Sequence, residues 1–376
     1  MNKLKVMVID DSVLYRKVLT DALATISDVE VVDTANSGTV ALSKLERIKV
    51  DFVTLDFEMP GLNGIQTLIQ IKKKFPNVEV IMVSTCTMEG AEVTFKALEN
   101  GALDYITKPE CPTVQQNINF LSKEFIERVS AIRVRKKSLA KQTIFERHGT
   151  TGSVTKPETK VMSNKATSTK NNLSIAHGRM QRLMKTMGRV EVVVIAVSTG
   201  GPSALSRLIP LLPDSLRVPV LVVQHMPATF TNALARNLDG KSSIKVVEAN
   251  DGMVMEKGTV YIAPGGQQMK AVKENNISKI VITDDPPVNN CKPSADYMIN
   301  AIKNVYKNNV LGVILTGMGR DGANSLKALH DLGCKVIAQD EKTCVVYGMP
   351  KEAVKLGAVD VQLPIEKIAA EIVDSV

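Results

Sequence analysis

Three short stretches in the second half of the sequence contain the residue types of a hydrolytic site. Ser198 follows the apolar run VVVIAV, His225 follows VPVLVVQ, and Asp321 lies in GMGRDG after VLGVILT. Each apolar run predicts a strand, and the loops after parallel strands meet at one edge of an open α/β sheet. A hydroxyl, an imidazole and a carboxylate that meet there can serve as nucleophile, general base and orienting carboxylate.

Each of these residues also has a structural interpretation. Ser198 could be a helix cap, His225 a packed core histidine and Asp321 a turn residue. GMGRDG also matches a dinucleotide-binding pattern, because it follows a predicted strand and precedes a predicted helix. Asp321 would then lie in the pyrophosphate loop, where a carboxylate repels phosphate, so the catalytic interpretation is favoured. The chain order Ser, His, Asp and the lack of G-x-S-x-G around Ser198 disfavour the α/β-hydrolase fold.

The remaining histidines are poorer candidates for a base. His148 and His177 fall in a predicted linker, and His330 falls in a helical pattern that ends at a glycine. Five cysteines are scattered without a Cys-x-x-Cys pair, which argues against a disulfide framework or a zinc site. Of these, Cys291 stands out because it lies in a loop-like stretch.

A second set of polar residues follows predicted strands in the first 125 residues. Asp10 and Asp11 come after KLKVMVI, Asp56 after DFVTL, and Lys108 after LDYIT. A single acid in such a place is usually a helix cap, but this group has the composition of a site for Mg²⁺ and a phosphoryl group.

With VIDDS, TLDFEMPGLNG, VSTCT and YITKP, residues 1–125 resemble a response-regulator receiver domain. The resemblance implies that Asp56 is the phosphorylated residue and that Lys108 contacts the phosphate. It also implies an Mg²⁺ site formed by Asp10, Asp11, Asp56 and the backbone carbonyl of Glu58. A hydroxyl–aromatic switch pair is implied at Ser84 and Tyr105.

The apolar runs predict two α/β domains. Five runs with helices between them predict a flavodoxin-like (βα)₅ domain, at residues 3–9, 30–35, 51–55, 78–84 and 103–107. Seven further runs predict a larger, doubly wound and mostly parallel sheet, at residues 191–197, 218–224, 244–249, 258–263, 279–283, 310–316 and 335–339.

The segment between the two domains is strongly basic. Residues 131–187 contain 13 lysines and arginines against two acids, whereas the whole chain has a net charge of +8. A helical pattern at residues 112–145 turns basic and polar in its second part. The polar composition of the segment as a whole predicts a flexible linker, so the expected units are 1–125, 126–187 and 188–376. A DNA-binding response regulator is an alternative, but the segment has no helix-turn-helix pattern and almost no aromatic residues. The other alternative is a nucleotide-dependent enzyme that uses the STGG and GMGRDG loops.

The whole arrangement, with AVSTGGP, VVQHMPATFT and LTGMGRDGA after the receiver-like part, resembles the CheB family of chemotaxis protein-glutamate methylesterases. The resemblance implies that Ser198 is the nucleophile, His225 the base and Asp321 the orienting carboxylate. Thr199 would lie beside the nucleophile and the Met318 N–H would stabilise the oxyanion. The chain departs from the family at Cys291-Lys292-Pro293-Ser294, where His-Arg-Pro-Ser is common.

The family resemblance also implies a reaction and partners. The substrates would be glutamate methyl esters on chemoreceptors, with methanol released, and specific glutamines would be deamidated. A chemotaxis histidine kinase would supply the phosphoryl group, and the esterase step would need no cofactor. We expect no nucleic-acid partner and no stable membrane insertion. The apolar runs are too short to span a bilayer and no signal peptide is evident, so a cytoplasmic location is expected.

Overall fold

The structure is a computed structural model. It describes residues 3–85, 87–148 and 189–376, apart from the side chains of residues 88 and 137–148. Most of the predicted linker, including His177, therefore lies outside the described residues. No helix in these ranges is both long enough and apolar enough to cross a membrane.

The N-terminal half has the predicted (βα)₅ fold. Its parallel sheet has the order β2-β1-β3-β4-β5 and consists of β1 (Leu4–Ile9), β2 (Val29–Ala35), β3 (Phe52–Asp56), β4 (Glu79–Ser84) and β5 (Asp104–Thr107). The helices are α1 (Val13–Ala24), α2 (Gly38–Leu45), α3 (Gly64–Lys74), α4 (Met88–Glu99) and α5 (Val114–His148). Capping side chains define where helices begin. The Ser12 side chain accepts a hydrogen bond from the N–H of Tyr15 at the start of α1, and Asn63 and Gln66 form a capping box at the start of α3.

Helix α5 crosses the predicted domain boundary at residue 125. Val129 and Ile132, which fall in the predicted linker, are buried, and they pack in the same core cluster as Val18 and Leu19 of α1. The early part of the predicted flexible linker is therefore helical, because its apolar residues extend the packing between α1 and α5. This agrees with the helical pattern at residues 112–145, whose second part was assigned to the linker because it is basic and polar.

The C-terminal half contains a seven-stranded parallel sheet, as predicted, in the order β14-β13-β12-β6-β7-β9-β8. Its strands are β6 (Val192–Val197), β7 (Val220–Gln224), β8 (Lys245–Glu248), β9 (Thr259–Ile262), β12 (Val310–Ile314), β13 (Val336–Gln339) and β14 (Val361–Leu363). The three central strands, β12, β6 and β7, are buried along their whole length, as expected for a parallel sheet covered on both faces.

Two details of the predicted sheet were wrong. The run at 279–283 does not join the main sheet but lies in β11 (Ile277–Thr283), which pairs antiparallel with β10 (Gln268–Glu274) in a separate hairpin. Asn275 and Asn276 form its two-residue turn with φ angles of 49° and 63°, which asparagine tolerates well. Strands β10 and β14 were not predicted, since β10 is largely polar and β14 has only three residues.

The helices of this half connect the strands and flank the sheet. They are α6 (Gly201–Leu208), followed by a 3₁₀ turn, α7 (Ala228–Asp239), α8 (Ala295–Tyr306), α9 (Ala323–Asp331), α10 (Met349–Lys355) and α11 (Ile365–Ser375). His330 lies on α9, where its Nε2 atom is 3.4 Å from Asp360 Oδ1. This places His330 in a helix, as expected, and away from the strand ends that carry the polar cluster.

The two halves pack together through α4 and α7. Tyr105 of the first half stacks on Phe230 of α7, with 4.6 Å between ring centroids and 11° between the planes. At the edge of this contact Glu92 lies 3.6 Å from Arg236, and Glu99 pairs with Lys241. Because these ion pairs are exposed, most of the contact free energy comes from the apolar surface between them.

Candidate functional site

Ser198 lies at the C-terminal end of β6, where the chain turns sharply into α6. Gly200 makes this turn with a φ of 75°, and a Cβ there would lie 2.4 Å from Val345 Cβ. Gly200 is also the N-cap of α6, with no side-chain cap, so Ser198 is not the helix cap. The Ser198 carbonyl accepts hydrogen bonds from Gly201 N at 2.7 Å and Gln224 Nε2 at 3.0 Å. These bonds hold the backbone while the side chain lines a cavity.

His225 and Asp321 are in direct contact. His225 follows β7, Asp321 follows β12, and the His225 Nε2 atom lies 2.9 Å from Asp321 Oδ2. Burial by itself lowers the pKa of His225, but its hydrogen bonds to Asp321 and Cys291 outweigh this and raise the pKa to about 9. The imidazole in this arrangement therefore holds a proton at neutral pH. The fraction that can accept another group's proton grows as the pH rises toward 9.

The Asp321 carboxylate is held on all sides. Besides His225, it accepts hydrogen bonds from Asn289 Nδ2 at 2.8 Å, Ser294 Oγ at 2.8 Å and the N–H groups of Ala295 at 2.6 Å and Asp296 at 3.2 Å. The last two N–H groups belong to the first turn of α8. Burial raises the pKa of Asp321, but His225 and these donors outweigh it and hold the pKa below its ordinary value. Asp321 is therefore ionised and fixed in orientation.

Asn289 and Ser294, which support this carboxylate, were not among the site residues predicted from the sequence. Ser294 is the N-cap of α8 and precedes the pair Ala295-Asp296, a pattern that signals a helix start. That signal identifies the helix but not the buried anion near its N-terminus, because the contact joins residues 27 positions apart. Asn289 is harder to find, since it lies in a loop with a φ of 54°.

Thr199 and Met318 are the two residues predicted to accompany the nucleophile. Both line the same cavity as Ser198. The loop that carries Met318 approaches closely because residue 317 is glycine: a Cβ there would lie 2.8 Å from Ser198 Cβ. Among the described residues, no protein acceptor takes the Met318 N–H. This N–H is therefore available to a substrate oxygen.

The cavity lies between the two halves of the molecule and has a volume of about 820 Å³. Its floor carries Ser198, His225 and Asp321, and its opposite wall comes from the first half, including Tyr105 and Glu127. The first half therefore covers the polar cluster. Of the unusual residues in the 291–294 stretch, Cys291 Sγ lies 3.7 Å from His225 Nδ1, and Lys292 donates to Asp284 Oδ1 at 2.6 Å.

The acidic residues predicted in the first half lie close together, with Lys108 beside them. One carboxylate oxygen from each of Asp10, Asp11 and Asp56 lies within 4.8 Å of the other two. Lys108 Nζ lies 2.9 Å from Asp56 Oδ1 and 3.1 Å from Asp10 Oδ2. Burial raises the pKa of Asp56 to about 6, although Lys108 opposes the shift, and the nearby charge of Asp10 adds to it. Glu58 lies two residues after Asp56 on the loop that follows β3.

The two expected switch residues lie at the ends of neighbouring strands. Ser84 ends β4, and its hydroxyl donates to the carbonyl of Gly90 at 3.2 Å. Tyr105 lies in β5, where its side chain is buried against Phe230 of the other half. Tyr105, the residue expected to respond to phosphorylation of Asp56, is therefore part of the contact that covers the cavity.

A phosphoacceptor-type domain fused to a parallel α/β domain with a serine, histidine and aspartate cluster defines a response regulator with an enzymatic output domain. Residues 6–118 match the response regulator receiver domain model, and residues 193–372 match the CheB methylesterase model. A relative from Desulfotalea psychrophila named protein-glutamate methylesterase/protein-glutamine glutaminase is 40% identical over 378 residues, which is 100% of this chain and 99% of its own length.

A second relative has the same name. This protein, from Bacillus subtilis, is 39% identical over 99% of this chain and 98% of its own length. The crystal structure of the Thermotoga maritima CheB methylesterase catalytic domain is 40% identical, with a TM-score of 0.49, and covers 50% of this chain and 100% of that one. The chain belongs to the protein-glutamate methylesterase/protein-glutamine glutaminase family.

Proposed function

We propose that the protein is a phosphorylation-activated serine esterase that hydrolyses glutamate methyl esters on chemoreceptors and deamidates specific glutamines. The observation that carries this proposal is the 2.9 Å contact between His225 and Asp321 in the cavity that Ser198 lines. The relatives' names supply the substrate class. The experiment that tests it is a methanol-release assay on methylated receptor.

The reaction uses the three side chains in two steps. Ser198 Oγ attacks the ester carbonyl carbon and its proton passes to His225 Nδ1, the ring nitrogen that does not face Asp321. The backbone N–H of Met318 stabilises the oxyanion, and the protonated Nδ1 returns its proton to the departing methoxide, which leaves as methanol. Water then attacks the acyl-enzyme with His225 again acting as base, and free glutamate is released.

The receiver half regulates this site by covering it. Because Tyr105 and Glu127 form one wall of the cavity, a receptor helix cannot approach Ser198 while the two halves are packed in this way. Phosphorylation of Asp56 changes the end of the sheet next to Ser84 and Tyr105, and the Tyr105–Phe230 stack carries that change into the contact. The modification thereby shifts an existing equilibrium toward the open arrangement.

The acidic cluster fits Mg²⁺. Carboxylate oxygens are the ligands that this ion prefers, and a divalent cation relieves the mutual repulsion that adds to the raised pKa of Asp56. Asp10, Asp11, Asp56 and the Glu58 carbonyl would hold the ion, which supplies charge neutralisation to phosphoryl transfer. Lys108 contributes a second positive charge to the phosphoryl oxygens.

The partners follow from these two sites. A chemotaxis histidine kinase supplies the phosphoryl group to Asp56, and the methylated cytoplasmic helices of chemoreceptors supply the ester. Both partners act in the cytoplasm, which is the location that we propose. The dinucleotide alternative has no supporting observation, because the GMGRDG loop directs the Asp321 carboxylate to His225 and to the start of α8.

Asp56→Asn should remove the stimulation by a phosphodonor and leave the unstimulated rate within about twofold of the parent. The reason is that the substituted amide keeps the shape of the side chain but cannot accept a phosphoryl group, while the catalytic residues lie in the other half. The measurement is methanol release with and without acetyl phosphate and Mg²⁺. Asp21→Asn, on the exposed side of α1, is the matched control and should respond like the parent. Stimulation that persists in Asp56→Asn would place the phosphoacceptor elsewhere.

The fragment 188–376 should release methanol faster than the unphosphorylated full-length protein. It retains Ser198, His225 and Asp321 but lacks the wall formed by Tyr105 and Glu127. Initial rates at equal enzyme and receptor concentration are the measurement. A fragment that is folded by circular dichroism yet no faster than the full-length protein would show that the covering half does not inhibit.

A further inference from the structure

Cys291 is the one thiol that lines the catalytic cavity in the described part of the chain, and the mechanism above does not use it. Its Sγ atom lies 3.7 Å from His225 Nδ1, on the side of the ring opposite Asp321. It also donates to the backbone carbonyl of Asn289 at 3.5 Å. A thiol and an imidazole nitrogen therefore face each other across a short gap in a solvent-accessible pocket.

The gap has the width that a zinc ion requires. A tetrahedral zinc ion with ordinary Zn–S and Zn–N bonds separates a sulfur ligand from a nitrogen ligand by about 3.6 Å. The observed separation of 3.7 Å is close to that value. The sulfur and the imidazole nitrogen are also the donor types that zinc prefers.

The opposite side of the imidazole already has the support that a zinc-binding histidine needs. His225 Nε2–H donates to Asp321 Oδ2 at 2.9 Å, which fixes the ring and leaves Nδ1 as the nitrogen for a metal. Asp321 itself is occupied by four further donors, from Asn289, Ser294 and the first turn of α8. It therefore acts as an orienting group behind the histidine rather than as a direct ligand.

We propose that Cys291 Sγ and His225 Nδ1 form a Zn²⁺ site that inhibits the hydrolase. Water from the cavity completes the tetrahedral shell, and binding releases the protons of the thiol and of Nδ1. An ion on Nδ1 blocks turnover because Nδ1 is the atom that must accept the Ser198 proton. The cysteine spacing in the sequence argued against a zinc site. Spacing alone could not reveal this pair, because the fold brings Cys291 next to a histidine 66 positions away.

The binding test uses the full-length protein and does not depend on esterase activity. Co²⁺ is titrated into the protein with Mg²⁺ in excess to occupy the acidic cluster, and the thiolate-to-cobalt charge-transfer absorption is recorded. We expect the absorption in the parent and in Cys111→Ser, a matched control for a thiol in the receiver half, and its displacement by Zn²⁺. Its loss is expected in Cys291→Ser. No absorption in the parent, or an equal absorption in Cys291→Ser, would overturn the proposed site.

The inhibition test rests on the proposed function, and its result is interpreted separately from that of the binding test. The Zn²⁺ concentration that halves methanol release, relative to each variant's own metal-free rate, should rise at least about tenfold in Cys291→Ser. Cys291→His retains a metal-binding side chain and should stay within a few-fold of the parent. Equal zinc sensitivity in the parent and Cys291→Ser would refute the inhibitory role. A parent that binds cobalt but releases no methanol would instead refute the proposed reaction.

Discussion

Ser198→Ala should lower methanol release by at least about 10⁴-fold, with or without a phosphodonor. Without the hydroxyl no acyl-enzyme forms, and the base, the orienting carboxylate and the Met318 N–H act on water alone. Methanol released from methylated receptor is the measurement, and phosphorylation of Asp56 should proceed as in the parent. The loss therefore separates the catalytic site from the receiver site.

Ser206→Ala is the matched control for this substitution. Ser206 lies on α6, close to Ser198 in sequence, but does not line the cavity. It should retain the parent rate. If Ser198→Ala and Ser206→Ala kept equal activity, the nucleophile would have to be another group, and the assignment of the cavity as the catalytic site would fail.

Asp321→Asn should lower kcat by about 10³- to 10⁴-fold with little change in KM. The amide cannot stabilise the imidazolium that forms when Ser198 gives up its proton, and its NH₂ group conflicts with the N–H donors of α8. The pKa of His225 should fall, because the hydrogen bond to Asp321 is the largest influence that raises it. Steady-state kinetics on methylated receptor and an NMR titration of the imidazole measure the two effects.

The kinetic effect must be separated from a loss of folding, because Asp321 is buried and accepts several hydrogen bonds. A thermal melt of each variant provides that check. Asn289→Ala removes one of the donors but keeps the carboxylate, so its kcat should fall much less than that of Asp321→Asn. A folded Asp321→Asn variant with a kcat near that of the parent would contradict the role of this residue.

The strand-end positions made much of the site predictable. Ser198, His225 and Asp321 each follow an apolar run that forms a central strand, and parallel strands bring such loops to one edge. The same reasoning placed Asp10, Asp56 and Lys108 together. In both domains a strong local pattern, a buried strand followed by a polar residue, was enough to predict where that polar residue lies in the fold.

Features that depend on contacts between distant segments were not predictable in the same way. The support of Asp321 by Asn289 and the first turn of α8 requires a loop geometry that has no periodic signal. The Cys291–His225 contact joins two distant segments through a loop of unusual sequence. The helical pattern at residues 112–145 was visible, but its second part was assigned to the flexible linker because its basic surface residues masked a buried stripe, which includes Val129 and Ile132.

The physical form of the cover over the cavity could not be predicted from the sequence. The receiver-domain resemblance implies a switch position for Tyr105, and the structure shows that its ring also stacks on Phe230 across the contact. One side chain therefore belongs both to the sheet that carries the phosphoacceptor and to the surface that must separate. In the proposed activation, that double role would connect Asp56 to the catalytic cavity by a short physical route.

The most direct measurement is the initial rate of methanol release from methylated receptor by the full-length protein, with and without acetyl phosphate and Mg²⁺. We expect methanol in both conditions and a clearly faster rate with the phosphodonor. No methanol from a folded, phosphorylated protein would contradict the esterase, and an identical rate in the two conditions would contradict a receiver that covers the site.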